Sequence, residues 1–199
     1  MTAEMLLALV GFAFATSATP GPNNTMLLAS GATFGLRRTI PHMLGICAGI
    51  VVMIVAVGLG LGAVFRAVPV LYNVLQVVGI VYLLVLAWRI ARSGSPKQAE
   101  TRRPLGFLGA AAFQWVNPKA WVMVIAAVTA YAPEQHYLTN VLIVAGVVGA
   151  VCFVSITLWA GFGTALSRVL HRPGWMRAVN LTMAALLVLS LVPLIIDLV

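Results

Sequence analysis

The sequence predicts an all-α integral membrane protein, with six transmembrane helices forming two inverted three-helix repeats and the first helix of each half broken. Three observations carry that expectation. Hydrophobic residues make up 62% of the chain and charged ones only 8%, with a mean hydropathy of +1.06, where a soluble domain carries roughly 25% charged residues. Two Asn/Pro motifs, Thr19-Pro20-Gly21-Pro22-Asn23-Asn24 and Asn117-Pro118-Lys119, interrupt long apolar runs at matching places in the two halves. Lys and Arg gather in alternate turns. A length of 199 residues holds about six spans of ~20 residues, so residues 1–199 read as one transmembrane domain without a sizeable soluble part.

The first span covers about residues 4–33 and is broken at Pro20–Asn24, because proline removes a backbone donor and clashes with the preceding turn. The start Met1-Thr2-Ala3-Glu4 has no basic region of the kind that opens a cleavable signal peptide, so it reads as part of this span. A turn with Arg37, Arg38, Pro41 and His42 follows. The second span, about 44–64, carries Gly45 and Gly49 as a GxxxG pair, then Gly58, Gly60 and Gly62. Small residues at that spacing let helices approach closely, within one chain or across a homodimer. The third span, about 71–90, has Tyr72, Tyr82 and Trp88 toward its ends, where an aromatic belt would place them.

The polar segment 92–104 is a linker joining halves 1–91 and 105–199. The fourth span, about 105–131, breaks around Asn117-Pro118, and Ala132–His136 forms a turn. The fifth runs over about 138–166, then a basic turn with Arg168, His171, Arg172 and Arg177 centres on Pro173-Gly174. The sixth, about 178–198, completes the set. Ten of the 12 Lys and Arg fall after spans one, three and five. The basic side is expected to face the cytoplasm, which puts both termini outside. The net charge of +8 then reflects these loops and not nucleic-acid binding.

A break at the middle of a bilayer needs partners from protein or from a water-filled cavity, and such breaks are where transporters hold polar ligands. Lys119 is the one Lys, Arg, Asp or Glu well inside a span. It reads either as a group that meets a substrate carboxylate or exchanges a proton, or as a cation that bonds carbonyls freed by Pro118. Asn23, Asn24 and Asn117 offer amides beside the breaks, and Gln114 lies one turn before Asn117. Trp115, Trp121 and Tyr131 read as packing residues. The expected substrate-binding set is Pro20, Gly21, Pro22, Asn23, Asn24, Gln114, Asn117, Pro118 and Lys119. Helix ends of opposite polarity at each break suit a zwitterion.

No cofactor or metal is expected: the sequence has no HExxH, no Ser/His/Asp arrangement, no phosphate-cradling glycine loop and no intramembrane carboxylate pair. That composition argues against an enzyme. His42, His136 and His171 all fall in predicted turns, and Cys47 and Cys152 read as two small buried hydrophobes without a redox role.

The stretch Thr19–Asn24, with Ser30-Gly31 and Gly35-Leu36-Arg37 after it, resembles the signature of LysE/RhtB-type amino-acid exporters. The stretch Gln114-Trp115-Val116-Asn117-Pro118-Lys119-Ala120-Trp121 looks like that family's second motif. Phe113–Asn117 and Pro41-His42-Met43-Leu44-Gly45 look most like the branch near the leucine and the cysteine/O-acetylserine exporters. The likeness covers essentially the whole chain. It implies secondary-active, proton-driven export of amino acids or small derivatives across the bacterial inner membrane. One position departs from the pattern: many relatives carry an acid after the glycine matching Gly49, and here Ile50 stands there. Lys119 is then the coupling candidate. The alternative reading is a cation channel or cation exporter with a pore lined by the broken helices.

Overall fold

The computed structural model describes residues 1–92, 104–167, 173–189 and 191–196. Helix α1 (Ala3–Ala18) starts where the Thr2 hydroxyl accepts the Met5 N–H at 3.2 Å. It stops at Thr19, and after Pro20 and Gly21 helix α2 (Pro22–Phe34) leaves at 61°. Pro22 suits the first helical position, where its missing N–H has no helical partner to lose. Helix α3 (Leu36–Ala56) passes through a kink at Val57–Leu61, where Gly60 leaves helical geometry, into α4 (Gly62–Ala67), and α5 (Pro69–Ala91) ends the first half. The second half comprises α6 (Phe107–Trp115), α7 (Pro118–Tyr131), α8 (Tyr137–Ser167), α9 (Pro173–Leu189) and the short α10 (Val192–Ile196). Among the described residues there is no strand.

Two helical stretches, Leu36–Val64 and Tyr137–Leu166, are long and apolar enough to cross a bilayer, or three if the bent α1–α2 pair is one span. The other apolar helices, Gln76–Trp88, Pro118–Tyr131 and Arg177–Leu189, are shorter. Most of the linker 92–104, and Arg168, His171 and Arg172 of the last basic turn, lie outside the described residues.

Close helix contacts are built on glycines. A Cβ at Gly45 would stand 2.2 Å from the Phe107 carbonyl oxygen, and one at Gly49 would stand 2.8 Å from that of Ala111. The numbers rise together, so α3 and α6 run parallel, and the GxxxG pair is used within the chain. On α2 and α8 the contacts are reciprocal: Gly31 against the Ala160 carbonyl and Gly163 against the Leu28 carbonyl, each at 2.1 Å from the missing Cβ. These two helices run antiparallel. The main apolar core joins α1, α2, α3, α7 and α8 through residues such as Leu9, Leu27, Ile46, Trp121 and Val148. A second cluster ties α5 to α9 through Leu83 and Leu187, with Leu28 and Phe113 packed into it.

Several boundaries differ from the sequence expectation. Helix α3 begins at Leu36, so Pro41 lies inside a helix and His42 is a buried helical residue and not a turn residue. Proline there removes one donor, but the helix start is held from outside: the Thr39 hydroxyl donates to Gly35 O and sits 2.9 Å from the Ser30 hydroxyl. Both His42 ring nitrogens are buried without a partner. The last long helix begins at Pro173, where a turn was expected, and ends at Leu189. The Tyr82 ring meets that of Phe113, 5.4 Å between centroids. Trp88 does match an end position, with the Arg92 guanidinium 3.8 Å over its ring.

The kink after α3 is set by Gly60, at φ 116°, a conformation that L side chains rarely adopt. Gly60→Ala is expected to cost about 1–2 kcal/mol, read as a fall of a few degrees in the melting midpoint of the detergent-solubilised protein. An unchanged midpoint would mean that this turn relaxes freely.

Candidate functional site

The two breaks face each other. At the first, α1 ends with carbonyls that have no N–H donor within the helix. The Asn24 side chain donates to two of them, Ser17 O at 2.7 Å and Thr19 O at 2.9 Å. Lys119, from the second break, donates its Nζ to Thr19 O at 2.7 Å and Pro20 O at 3.3 Å. The cation thereby meets the negative end of the α1 dipole. It bonds the first break and not the carbonyls freed by Pro118. Its stem crosses Gly21, where an added Cβ would lie 2.9 Å from Lys119 Cδ.

A second link is an amide pair. Asn23 Nδ2 donates to Gln114 Oε1 at 2.8 Å, and Gln114 Nε2 donates back to Asn23 Oδ1 at 3.1 Å. Gln114 also donates to Ala110 O at 2.9 Å, and its side chain is fully buried. A buried reciprocal pair loses most when one member is cut, since the other is left unsatisfied. Asn23→Ala and Gln114→Ala are each expected to destabilise by roughly 1–3 kcal/mol, with the double variant clearly less damaging than their sum. Additive losses in thermal unfolding would contradict a direct pairing.

The second break is formed differently. The Val116 N–H donates to Phe113 O at 3.1 Å and the Asn117 N–H to Gln114 O at 3.2 Å, a tightened last turn of α6. Asn117 then caps α7 in position only. Its side chain makes no capping bond, and its Oδ1 is buried without a partner. Pro118 packs against Gly79 of α5, where a Cβ would lie 2.8 Å from the proline ring. Trp115 and Trp121 meet edge to face at 5.7 Å, with Trp121 Nε1 donating to Trp115 O at 2.9 Å. Tyr131 reaches back to α1 through its ring contact with Phe12 at 5.5 Å.

Between the breaks lies a cavity of about 30 Å³, more than the ~10–15 Å³ that one water requires. Of the residues expected at the site, Gly21, Pro22, Asn23, Asn24, Asn117 and Lys119 line it. Pro20, Gln114 and Pro118 do not; they shape the breaks from behind. Sequence reading missed Thr16, Ser17, Ala120, Met123, Cys152 and Ile156, which also line it. Nothing in their types marks them, as they sit in apolar runs like many others. Ile50, singled out only as a departure from the family pattern, also lines the cavity. The Ser17 hydroxyl, like Asn117 Oδ1, is buried without a hydrogen-bond partner. Among the described residues no group of three or more His, Cys, Asp or Glu could hold a metal.

Comparison with known proteins identifies the family of the chain. The sequence model of the LysE type translocators matches residues 14–197. The cysteine/O-acetylserine efflux protein of Salmonella choleraesuis (strain SC-B67) is 31% identical over 196 residues, covering 94% of this chain and 96% of that protein. The protein of that name from Escherichia coli (strain K12) is 28% identical over 190 residues, with the same two coverages. No solved structure matches. The chain belongs to the LysE family of translocators and is a membrane transporter, not an enzyme.

Proposed function

We propose that the protein is a secondary-active exporter of amino acids or their small derivatives, driven by the proton gradient across the bacterial inner membrane. Cysteine and O-acetylserine, which the relatives are named for, are the first substrates to try. The observation that carries the reading is the cavity between the breaks, which holds two unpaired buried polar groups, Ser17 Oγ and Asn117 Oδ1, beside a tethered cation. Buried polar groups are nearly always satisfied, so a polar ligand or water is what these two await. By charge these groups suit a zwitterion, once the halves part enough to admit one: its ammonium matches the Asn117 oxygen, and its carboxylate matches Lys119 and the N-terminus of α2.

Two inverted halves, 1–91 and 105–199, supply the moving parts. Three helix pairings support them. Helix α3 runs parallel to α6, and α1 runs parallel to α8, since Met1 meets Asn140 and Ser17 meets Cys152. The third pair, α3 and α8, is antiparallel. Exchanging the halves converts the first pairing into the second and the third into itself, as an inverted repeat requires. Rocking one half on the other exposes the cavity to each side in turn. The basic turns face the cytoplasm and both termini face outward. Lys119 is the coupling candidate, since Ile50, which also lines the cavity, offers no carboxylate.

The test is efflux from bacterial cells overproducing the protein. Wild type is expected to raise extracellular cysteine or O-acetylserine, and Asn24→Ala and Asn117→Ala to abolish the effect at matched membrane levels. Full efflux in both variants would remove the substrate from this cavity. A sustained ohmic current from purified protein in a planar bilayer would favour the cation-channel reading instead.

A further inference from the structure

The two cysteines stand on helices from opposite halves, and packing brings them together. A Cβ at Gly58 would meet Val141 at 2.5 Å, and one at Gly149 would meet Val51 at 2.8 Å. Going from 58 to 51 along one stretch accompanies going from 141 to 149 along the other, so the register is antiparallel. One further turn brings Cys47 of α3 opposite Cys152 of α8. Cys152 belongs to the main apolar core and Cys47 packs against that same core. Cys152 and Lys119 both line the cavity, while Cys47 is half-buried and does not line it. A thiol open to a cavity, beside a cation, with a second thiol in reach is the arrangement of an attacking and a resolving cysteine.

We propose that Cys47 and Cys152 form a thiol–disulfide exchange site on the cavity wall, which reacts with low-molecular-weight disulfides and, once oxidised, ties α3 to α8. The Cys152 sulfur attacks one sulfur of the small disulfide. The S–S bond breaks, one thiolate leaves and takes up the proton given up by Cys152, and a mixed disulfide remains. Cys47 then attacks the Cys152 sulfur and expels the second thiolate, which takes the Cys47 proton. The protein loses two hydrogens, and the small disulfide becomes two thiols. Neither step depends on which amino acid the protein carries, so the site stands or falls apart from the export reading.

The experiment incubates the full-length purified protein in liposomes with hydroxyethyl disulfide, then alkylates free thiols and maps the peptides without reduction. Wild type is expected to yield the peptides of Cys47 and Cys152 joined to each other. Cys47→Ser should instead retain hydroxyethylthiol on Cys152. The joined protein should melt at a higher temperature than the untreated one, and dithiothreitol should reverse the rise. The treatment should not raise the melting point of Cys47→Ser. Recovery of both cysteines separately alkylated, or a mixed disulfide on Cys152 that never resolves in wild type, would overturn the exchange site. A cross-link that leaves the melting point unchanged would overturn the tie between α3 and α8.

Discussion

Lys119→Ala is expected to cut the exchange rate in proteoliposomes at least about tenfold while the protein still inserts and folds. The side chain makes two charge-assisted bonds, to Thr19 O and Pro20 O, and hydrogen bonds to charged groups contribute about 1.5–3 kcal/mol each. About 1.4 kcal/mol is a factor of ten. These bonds hold the second break to the first, so removing them loosens the cavity walls against each other and strips the cation from the site. Lys119→Arg should not restore the rate. The lysine stem lies against Gly21 with no space to spare, and a planar guanidinium is bulkier than an ammonium. Rates are compared at equal reconstituted protein, with thermal unfolding recorded alongside. A wild-type rate in Lys119→Ala would make the cation a bystander.

Gly31→Val should be the most damaging single change to stability. A Cβ at Gly31 falls 2.1 Å from the Ala160 carbonyl oxygen, which is backbone and cannot rotate away. Helices α2 and α8 would have to separate, and the reciprocal contact of Gly163 with Leu28 O would open with them. Overpacking in a close-packed interior costs typically about 1–3 kcal/mol, and valine adds its own bulk to that of the Cβ. The Thr164 hydroxyl bond to Gly31 O, 3.1 Å, would also be strained. The expected readout is a sharp loss of membrane-inserted, monodisperse protein, with a lowered melting midpoint in whatever survives. A midpoint equal to wild type would contradict the close approach of α2 and α8.

How much of this was legible in the sequence differs by feature. Both breaks were, since Pro20, Pro22 and Pro118 remove donors from runs otherwise apolar enough to be continuous helices. Their mutual arrangement was not. Lys119 bonds Thr19 and Pro20, and Gln114 pairs with Asn23; such pairings join distant parts of the chain, and periodicity carries no trace of them. Proline also misled. Pro41 reads as a boundary, yet α3 starts before it, because Gly35 and the Ser30–Thr39 contact hold the helix start from outside. His42 was therefore expected in a turn and is buried instead. The GxxxG pair announced a close helix contact without naming the partner, which is α6. Ser17, Met123 and Cys152 line the cavity from ordinary apolar helix positions, and the two cysteines meet only because α3 and α8 pack in one register.

The most direct test of amino-acid export through the cavity between the breaks is counterflow of labelled cysteine and O-acetylserine in proteoliposomes, with and without an imposed pH gradient. Export through this cavity predicts saturable exchange that the gradient accelerates. Absence of exchange with any amino acid, in protein that is folded and correctly inserted, would contradict it and turn the search toward other small solutes.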